Sequence, residues 1–242
     1  MSLRRRIRSS DERGFTLIEM LVASSIGVVL LLAAFMLLDR SFSSSASIAD
    51  RQDGLQRGRQ TMELITRQLR SQVCVVVPPA TSYSAPVVSA ADDSVTFYGS
   101  LSESSTNVEK RTLTFSSAGT GSITQNVIVG TANTVYPQMA FSGTGTNTTL
   151  LTNVKQAVSG GSNLPVFRYY RYNTQTSTLG DLVQLTQPIA ADKLQSIALI
   201  KVAFRSYAAR PISKDNDATQ IEDDVYIRIS DSSEQQENPQ CI

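Results

Sequence analysis

The 242-residue chain contains no histidine. That removes the usual general base near neutral pH and the commonest transition-metal ligand. Cysteine is almost absent too. Cys74 and Cys241 are the only two, and they form no Cys-x-x-Cys pair, which argues against a structural zinc site. Net charge is nearly absent: +1 over the whole chain, so bulk charge points to no nucleic-acid partner. No internal repeat is visible. Between Phe15 and Leu38 there is no proline, and Glu19 is the only charged residue.

What charge there is lies unevenly. Residues 1–14 carry Arg4, Arg5, Arg6, Arg8 and Arg13 against Asp11 and Glu12, a net of +3, which leaves −2 for the other 228 residues. Such asymmetry is a membrane-orientation signal. The apolar run behind it, 24 residues long, spans roughly 36 Å as a helix, enough for a hydrocarbon core of about 30 Å. The basic side should stay in the cytoplasm and the C-terminal bulk should cross. An ordinary secretory signal would have a shorter apolar core, followed by small residues at a cleavage site.

Beyond the run the helical pattern continues. Leu55, Met62, Ile65, Leu69 and Val73 form one apolar stripe, with Gln and Arg on the other face. This predicts a nearly continuous helix from Phe15 to Val73. Gly54 and Gly58 are expected to weaken it by about 1 kcal/mol each relative to Ala, the serines of 41–47 form a second soft point, and Pro78 and Pro79 end it. Strand patterns follow at 94–100, 110–116, 122–130, 165–173, 194–207 and 224–231. In the fifth of these, Ala198, Ile200, Val202 and Phe204 make a wholly apolar face, as in an antiparallel sheet packed on a helix. Residues 142–153 and 157–163 read as loops. The fold class is α+β: a long N-terminal helix, half transmembrane and half amphipathic, packed on an antiparallel β-sheet head. The expected divisions are a leader (1–14), a membrane or filament-core half-helix (15–38), an amphipathic half-helix (39–75) and an extracytoplasmic head (76–242).

Residues 13–20 read Arg-Gly-Phe-Thr-Leu-Ile-Glu-Met. This resembles the leader and processing site of type IV pilins and type II secretion pseudopilins. The resemblance covers mainly residues 1–75. It implies that an inner-membrane aspartyl prepilin peptidase cuts after Gly14, that Phe15 becomes the N-terminus and is N-methylated, and that Glu19 pairs with a neighbour's N-terminus during assembly. It implies partners as well: other pilins or pseudopilins in a filament, and an inner-membrane assembly platform. The precursor would sit in the inner membrane with its head outside the cytoplasm, then enter a filament at the cell surface. Independently of the family, a carboxylate this far inside an apolar segment costs several kcal/mol unless paired. The other reading of Glu19 is a helix-end residue favoured by the macrodipole. Two features depart from major pilins: no proline lies inside the first helix, and there is no short C-terminal disulfide loop. The layout of helix and head resembles minor pilins of the PilW/PulJ type. The functional expectation is therefore a non-enzymatic minor pilin-like subunit. The alternatives are a type II secretion pseudopilin, and a filament-tip adhesin or DNA-uptake module.

The remaining candidates are weaker. Asp215, Asp217, Glu222, Asp223 and Asp224 could offer oxygen ligands to calcium or form a solvated loop, but the glycine and ligand series of an EF-hand are missing. No cofactor is expected. Arg168, Tyr169, Tyr170, Arg171 and Tyr172 could stack on nucleic acid, although strand alternation would split them between faces and favours packing roles. Asn147 begins a formal Asn-Thr-Thr glycosylation acceptor, in a segment that reads as a plain exposed loop. Outside the cytoplasm, Cys74 and Cys241 could form a disulfide. The alternative is a buried Cys74 thiol and a free Cys241.

Overall fold

The computed structural model describes residues 14–100, 108–131, 137–173, 181–210 and 218–227. One helix, α1 (Leu17–Arg70), precedes a strand-rich region. The strands are β1 (Val87–Ala90), β2 (Ser94–Gly99), β3 (Glu109–Ser116), β4 (Ser122–Val129), β5 (Thr146–Thr152), β6 (Val154–Gln156), β7 (Val158–Ser159), β8 (Ser162–Asn163), β9 (Phe167–Tyr172), β10 (Leu182–Gln184), β11 (Leu199–Ser206) and β12 (Thr219–Tyr226). The chain divides into two compact units, 1–48 and 49–242. In the first unit the helix runs unbroken through the serine-rich stretch. There Ser43 and Ser45 donate their hydroxyls to the carbonyls of Arg40 and Ser41, satisfying them within the helix.

In the second unit, β1 to β5 form an antiparallel meander, and a second sheet runs β10-β9-β11-β12 with β6 also paired to β11. One edge of β11 is thus shared: Leu199–Val202 pair with β9, and Phe204–Ser206 pair with β6. The passage between sheets is made at Asn153, which adopts φ 57°. Its Nδ2 lies 2.8, 3.0 and 3.1 Å from the carbonyl oxygens of Ala208, Ala209 and Arg210, so the corner residue also holds the segment after β11. Asn is among the few side chains that tolerate this left-handed region.

The core joins the helix to both sheets. Met62, Ile65 and Leu69 pack with Phe97, Leu113 and Ile123 of the meander and with Phe167, Ile200, Val202 and Phe204 of the second sheet. The apolar face expected on β11 is buried as predicted. The helix face is not quite the expected stripe. Leu55 is half-buried, and Val73 lies beyond the helix against a smaller cluster of Val75, Tyr98, Val108 and Met139. Buried in their stead are Gly54 and Gly58. A Cβ on Gly54 would lie 3.1 Å from the Ser206 carbonyl oxygen, and one on Gly58 would lie 2.3 Å from Ile221 Cδ1 and 2.8 Å from Ser206 Cβ. These glycines are contact points where the helix backbone meets the ends of β11 and β12. Arg57 adds to the contact by donating to the carbonyl of Tyr207 at 3.0 Å and to the hydroxyl of Thr152 at 3.1 Å.

Several boundaries differ from expectation. α1 stops at Arg70, well before the prolines, because Val73 N–H donates to Tyr98 O and Ser100 N–H to Ser71 O, which draws the chain onto the end of β2. Residues 191–196 of the fifth strand pattern and its approach form a 3₁₀ turn, and the strand starts only at Leu199. Residues 146–152 are an edge strand, not a loop: β-branched threonines suit a pleated strand, and the segment pairs with β4 from Ser122 to Val127. The loop at 157–163 contains the small hairpin β7–β8. The last strand begins at Thr219, five residues earlier than expected, because its acids find cations on the same sheet: Glu222 with Arg168 at 2.6 Å and Asp224 with Lys201 at 3.0 Å.

Two outcomes follow from the packing. Gly58→Ala would gain about 1 kcal/mol of helix propensity at an open site, but here the overpacking cost, typically about 1–3 kcal/mol, is expected to win. Thermal unfolding of the variant should give a lower Tm. Tyr169 is fully buried and donates its hydroxyl toward the carbonyls of Ala91 (3.2 Å) and Ser94 (3.0 Å). Burial pushes its ionisation well above the ordinary tyrosine range. A raised folded-state value means that the unfolded chain loses this proton first. The contribution is therefore complete below about pH 10 and is lost as pH climbs past it. Tyr169→Phe should lower stability by about 1 kcal/mol at neutral pH and flatten the alkaline fall measured by urea unfolding between about pH 9 and 11.

Candidate functional site: the start of the long helix

From Phe15 to Leu38 the large apolar side chains point outward all around the helix, from 50% exposed at Val22 to 83% at Phe15. The helix is long and apolar enough to cross a membrane, and none of its most apolar window is buried. A water-soluble monomer does not present so large a continuous apolar surface. Lipid or other apolar helices are the environments that fit it.

The start of this surface carries a closed hydrogen-bonded unit. Thr16 and Glu19 stand three apart, the spacing of a capping box. Glu19 Oε2 accepts from the Thr16 N–H and the Thr16 hydroxyl, both at 3.0 Å, and the Thr16 Oγ1 accepts from the Glu19 N–H at 3.3 Å. All of these bonds fall on one oxygen of the carboxylate; among the described residues Glu19 Oε1 makes no hydrogen bond. A carboxylate offers about four acceptor positions, so the cap leaves room for an external donor. Glu19 thus caps its own helix and still presents an acceptor oxygen. The Thr-x-x-Glu spacing was visible in the sequence as a capping signature and was not used there.

Gly14 differs in kind from Gly54 and Gly58. Among the described residues, a Cβ placed on it would meet nothing within 4 Å. Phe15 beside it is the most exposed of the large apolar residues. Both residues are reachable from outside.

The other candidates are dispersed. Asp215 and Asp217 lie outside the described residues. Glu222 and Asp224 face Arg168 and Lys201, while Asp223 points to the other side of β12 and accepts from the Thr66 hydroxyl at 2.9 Å. The ion pair with Asp224 raises the ionisation of Lys201. Among the described residues no group of three His, Cys, Asp or Glu side chains could hold a metal ion. Tyr169 is in the core, and Tyr170 stays on the sheet surface with Lys201 Nζ 5.6 Å from its ring centroid, so the aromatics do not share one face. Asn147 is exposed on β5 and accepts from Asn126 Nδ2 at 2.7 Å. Cys74 is buried and disulfide-bonded, and Cys241 lies outside the described residues.

Residues 9–35 match the family model described as the prokaryotic N-terminal methylation motif. No curated protein and no solved structure matches the chain. The matched stretch contains Gly14, Phe15 and the Thr16–Glu19 unit, followed by most of the exposed apolar helix. The chain therefore carries the prokaryotic N-terminal methylation motif that type IV pilins and pseudopilins share, on a pilin-like α+β architecture.

Proposed function

We propose that this chain is a minor pilin-like structural subunit of a type IV pilus, cut after Gly14 by a prepilin peptidase, methylated at Phe15 and assembled through its N-terminal helix. The observation that carries the reading is the fully outward apolar helix whose first turn holds one carboxylate with an uncommitted oxygen. The precursor is anchored in the inner membrane by the 15–38 segment, with its head outside the cytoplasm. Cleavage turns the Phe15 nitrogen into a cationic amine. A neighbour's amine at the depth of Glu19 neutralises the carboxylate where water is scarce, and an ion pair formed there is screened little. The chain's role is packing, not catalysis. The same motif serves pseudopilins of type II secretion systems, and filament composition separates the two.

The proposed processing predicts a mature protein that begins at Phe15 in N-terminal sequencing, with the precursor retained when Gly14 is replaced by a bulky residue. A cut beyond Leu38 would contradict the assignment. For assembly, Glu19→Gln is the informative variant. Its amide oxygen can still accept from Thr16 and keep the cap, but the charge is gone. Processing and insertion should be normal, and recovery in sheared filaments should fall at least about tenfold, as loss of a charge-assisted bond implies. Normal recovery would reduce Glu19 to a helix cap.

The extracytoplasmic placement extends to the cysteines. Cys74 with Cys241 closes a loop of 168 residues counting both ends, and the chain-entropy argument gives about 5 kcal/mol as an upper figure for such a loop. Non-reducing peptide mapping should yield the joined Cys74 and Cys241 peptides, and reduction should lower the Tm. Two freely alkylated cysteines would refute the pairing.

A further inference from the structure

A groove of about 790 Å³ runs between the exposed face of α1 and the edge of β12. β12 closes the order of its sheet, and among the described residues only β11 pairs with it. The ladder shows which of its main-chain groups are engaged. Ile227 N–H donates to the Ala198 carbonyl, and on the facing strand Ala203 N–H turns away to Val166. Alternate residues of an antiparallel pair turn inward. Ile221, Asp223 and Val225 therefore bond to β11, while Gln220, Glu222 and Asp224 turn outward. The Asp224 N–H is closed by the Asp223 carboxylate at 2.9 Å. The outward main-chain groups of Gln220 and Glu222 have no partner among the described residues, and Glu222 lines the groove.

The other wall is basic. Arg59, Glu63, Arg67 and Arg70 follow one another at steps of four, four and three, which places them on one face of α1. All four line the groove. Among the described residues none of them forms an ion pair or a side-chain hydrogen bond. The acids on the strand side are already engaged. Glu222 pairs with Arg168 at 2.6 Å, and Asp223 accepts from the Thr66 hydroxyl and the Asp224 N–H. Three guanidinium groups thus stand against one uncommitted carboxylate, that of Glu63. The negative end of the helix accounts for Arg67 and Arg70, which lie in its last turn. It does not reach Arg59, about three turns earlier. Met62 and Ile221 add apolar surface to the same groove.

From these features we infer that the groove docks an extended, acidic segment of a partner protein, which adds to the sheet beside β12. Its main chain would meet the outward N–H and C=O groups of Gln220 and Glu222, as in recognition by strand addition. Strand side chains alternate between faces, so acids at every second position would lie against Arg59, Arg67 and Arg70. Arginine suits them because its parallel N–H groups bond both carboxylate oxygens at once. A basic segment would gain the same backbone pairing but meet the arginines with repulsion, which fixes the sign of the partner. The inference concerns the head alone and stands whether the chain serves a pilus or a secretion system.

The test uses the full chain in a neutral detergent and an eight-residue peptide of alternating threonine and glutamate, the length of β12. Isothermal titration compares it with the threonine–lysine counterpart and with the glutamate peptide N-methylated throughout, which keeps its charges but cannot pair as a strand. The glutamate peptide should bind saturably, and at least about tenfold more tightly than either control, the factor expected for one charge-assisted bond. Amide hydrogen exchange at Glu222 should slow on binding, while that at Val225, already bonded to β11, should not change. Arg59 and Arg67 are exposed, so Arg59→Gln with Arg67→Gln should keep the wild-type Tm and weaken binding at least about tenfold. Lysine at both positions should retain most of the binding, and Glu63→Gln should strengthen it. No binding of the glutamate peptide, equal binding of its N-methylated form, or undiminished binding by the double glutamine variant would overturn the inference. So would a concentration-dependent dimer that the double variant abolishes, because a second copy would then be the occupant.

Discussion

The head is organised around a close approach of the helix to the sheet ends at two glycines. At Gly58 the helix lies so close to Ser206 and Ile221 that a methyl group has no room unless they shift, and at Gly54 it would press on the Ser206–Tyr207 backbone at 3.1 Å. That distance sets how deeply Met62, Ile65 and Leu69 enter between the two sheets, because residues four apart on a helix share a face and move together. Other contacts reinforce it at the same level: Arg57 on the Tyr207 carbonyl, Asp53 accepting from the Ala209 N–H at 2.8 Å, and Asp50 paired with Arg210. Close packing makes this arrangement intolerant of even one added methylene. The helix propensity lost to two glycines is offset by van der Waals contact along the whole face.

Gly14 shows the opposite case, since no described group of the chain crowds it. The two kinds of glycine look alike in sequence. The local pattern of 54 and 58, four apart with Met62 next in the series, is a close-approach face, yet it reads equally well as a pair of weak points. What separates the readings is the identity of the opposing surface, which comes from residues about 150 positions away. Propensity acts locally, and the opposing backbone does not.

Much of the design was legible. The long helix, the apolar face of β11 and the presence of a strand in each of the six expected segments follow from periods of 3.6 and 2, and such periods survive because each face meets one environment. The failures have a common physical cause. β5 was hidden because its threonines, asparagine and flanking glycines resemble a loop, while its strand state comes from pairing with β4. The start of β12 was hidden because three consecutive acids discourage a strand in isolation, and their compensating cations sit on β9 and β11. The helix ended early through hydrogen bonds to β2 that no local signal announces. The methylation motif that contains Gly14, Phe15 and Glu19 was legible in the sequence because it is contiguous.

The capping box at Thr16 also bears on the rate at which subunits could add to a growing fibre. A free glutamate samples many rotamers, and ordering it costs about 1–2 kcal/mol. Here the Thr16 N–H and hydroxyl have already fixed one carboxylate oxygen. In the proposed assembly, an incoming cation would meet an acceptor that no longer has to search. The entropic penalty is borne once, when the helix folds, rather than at every docking event. If subunits add as proposed, loss of the threonine hydroxyl alone would leave all charges in place and still slow the encounter, a kinetic signature with no counterpart in the final geometry.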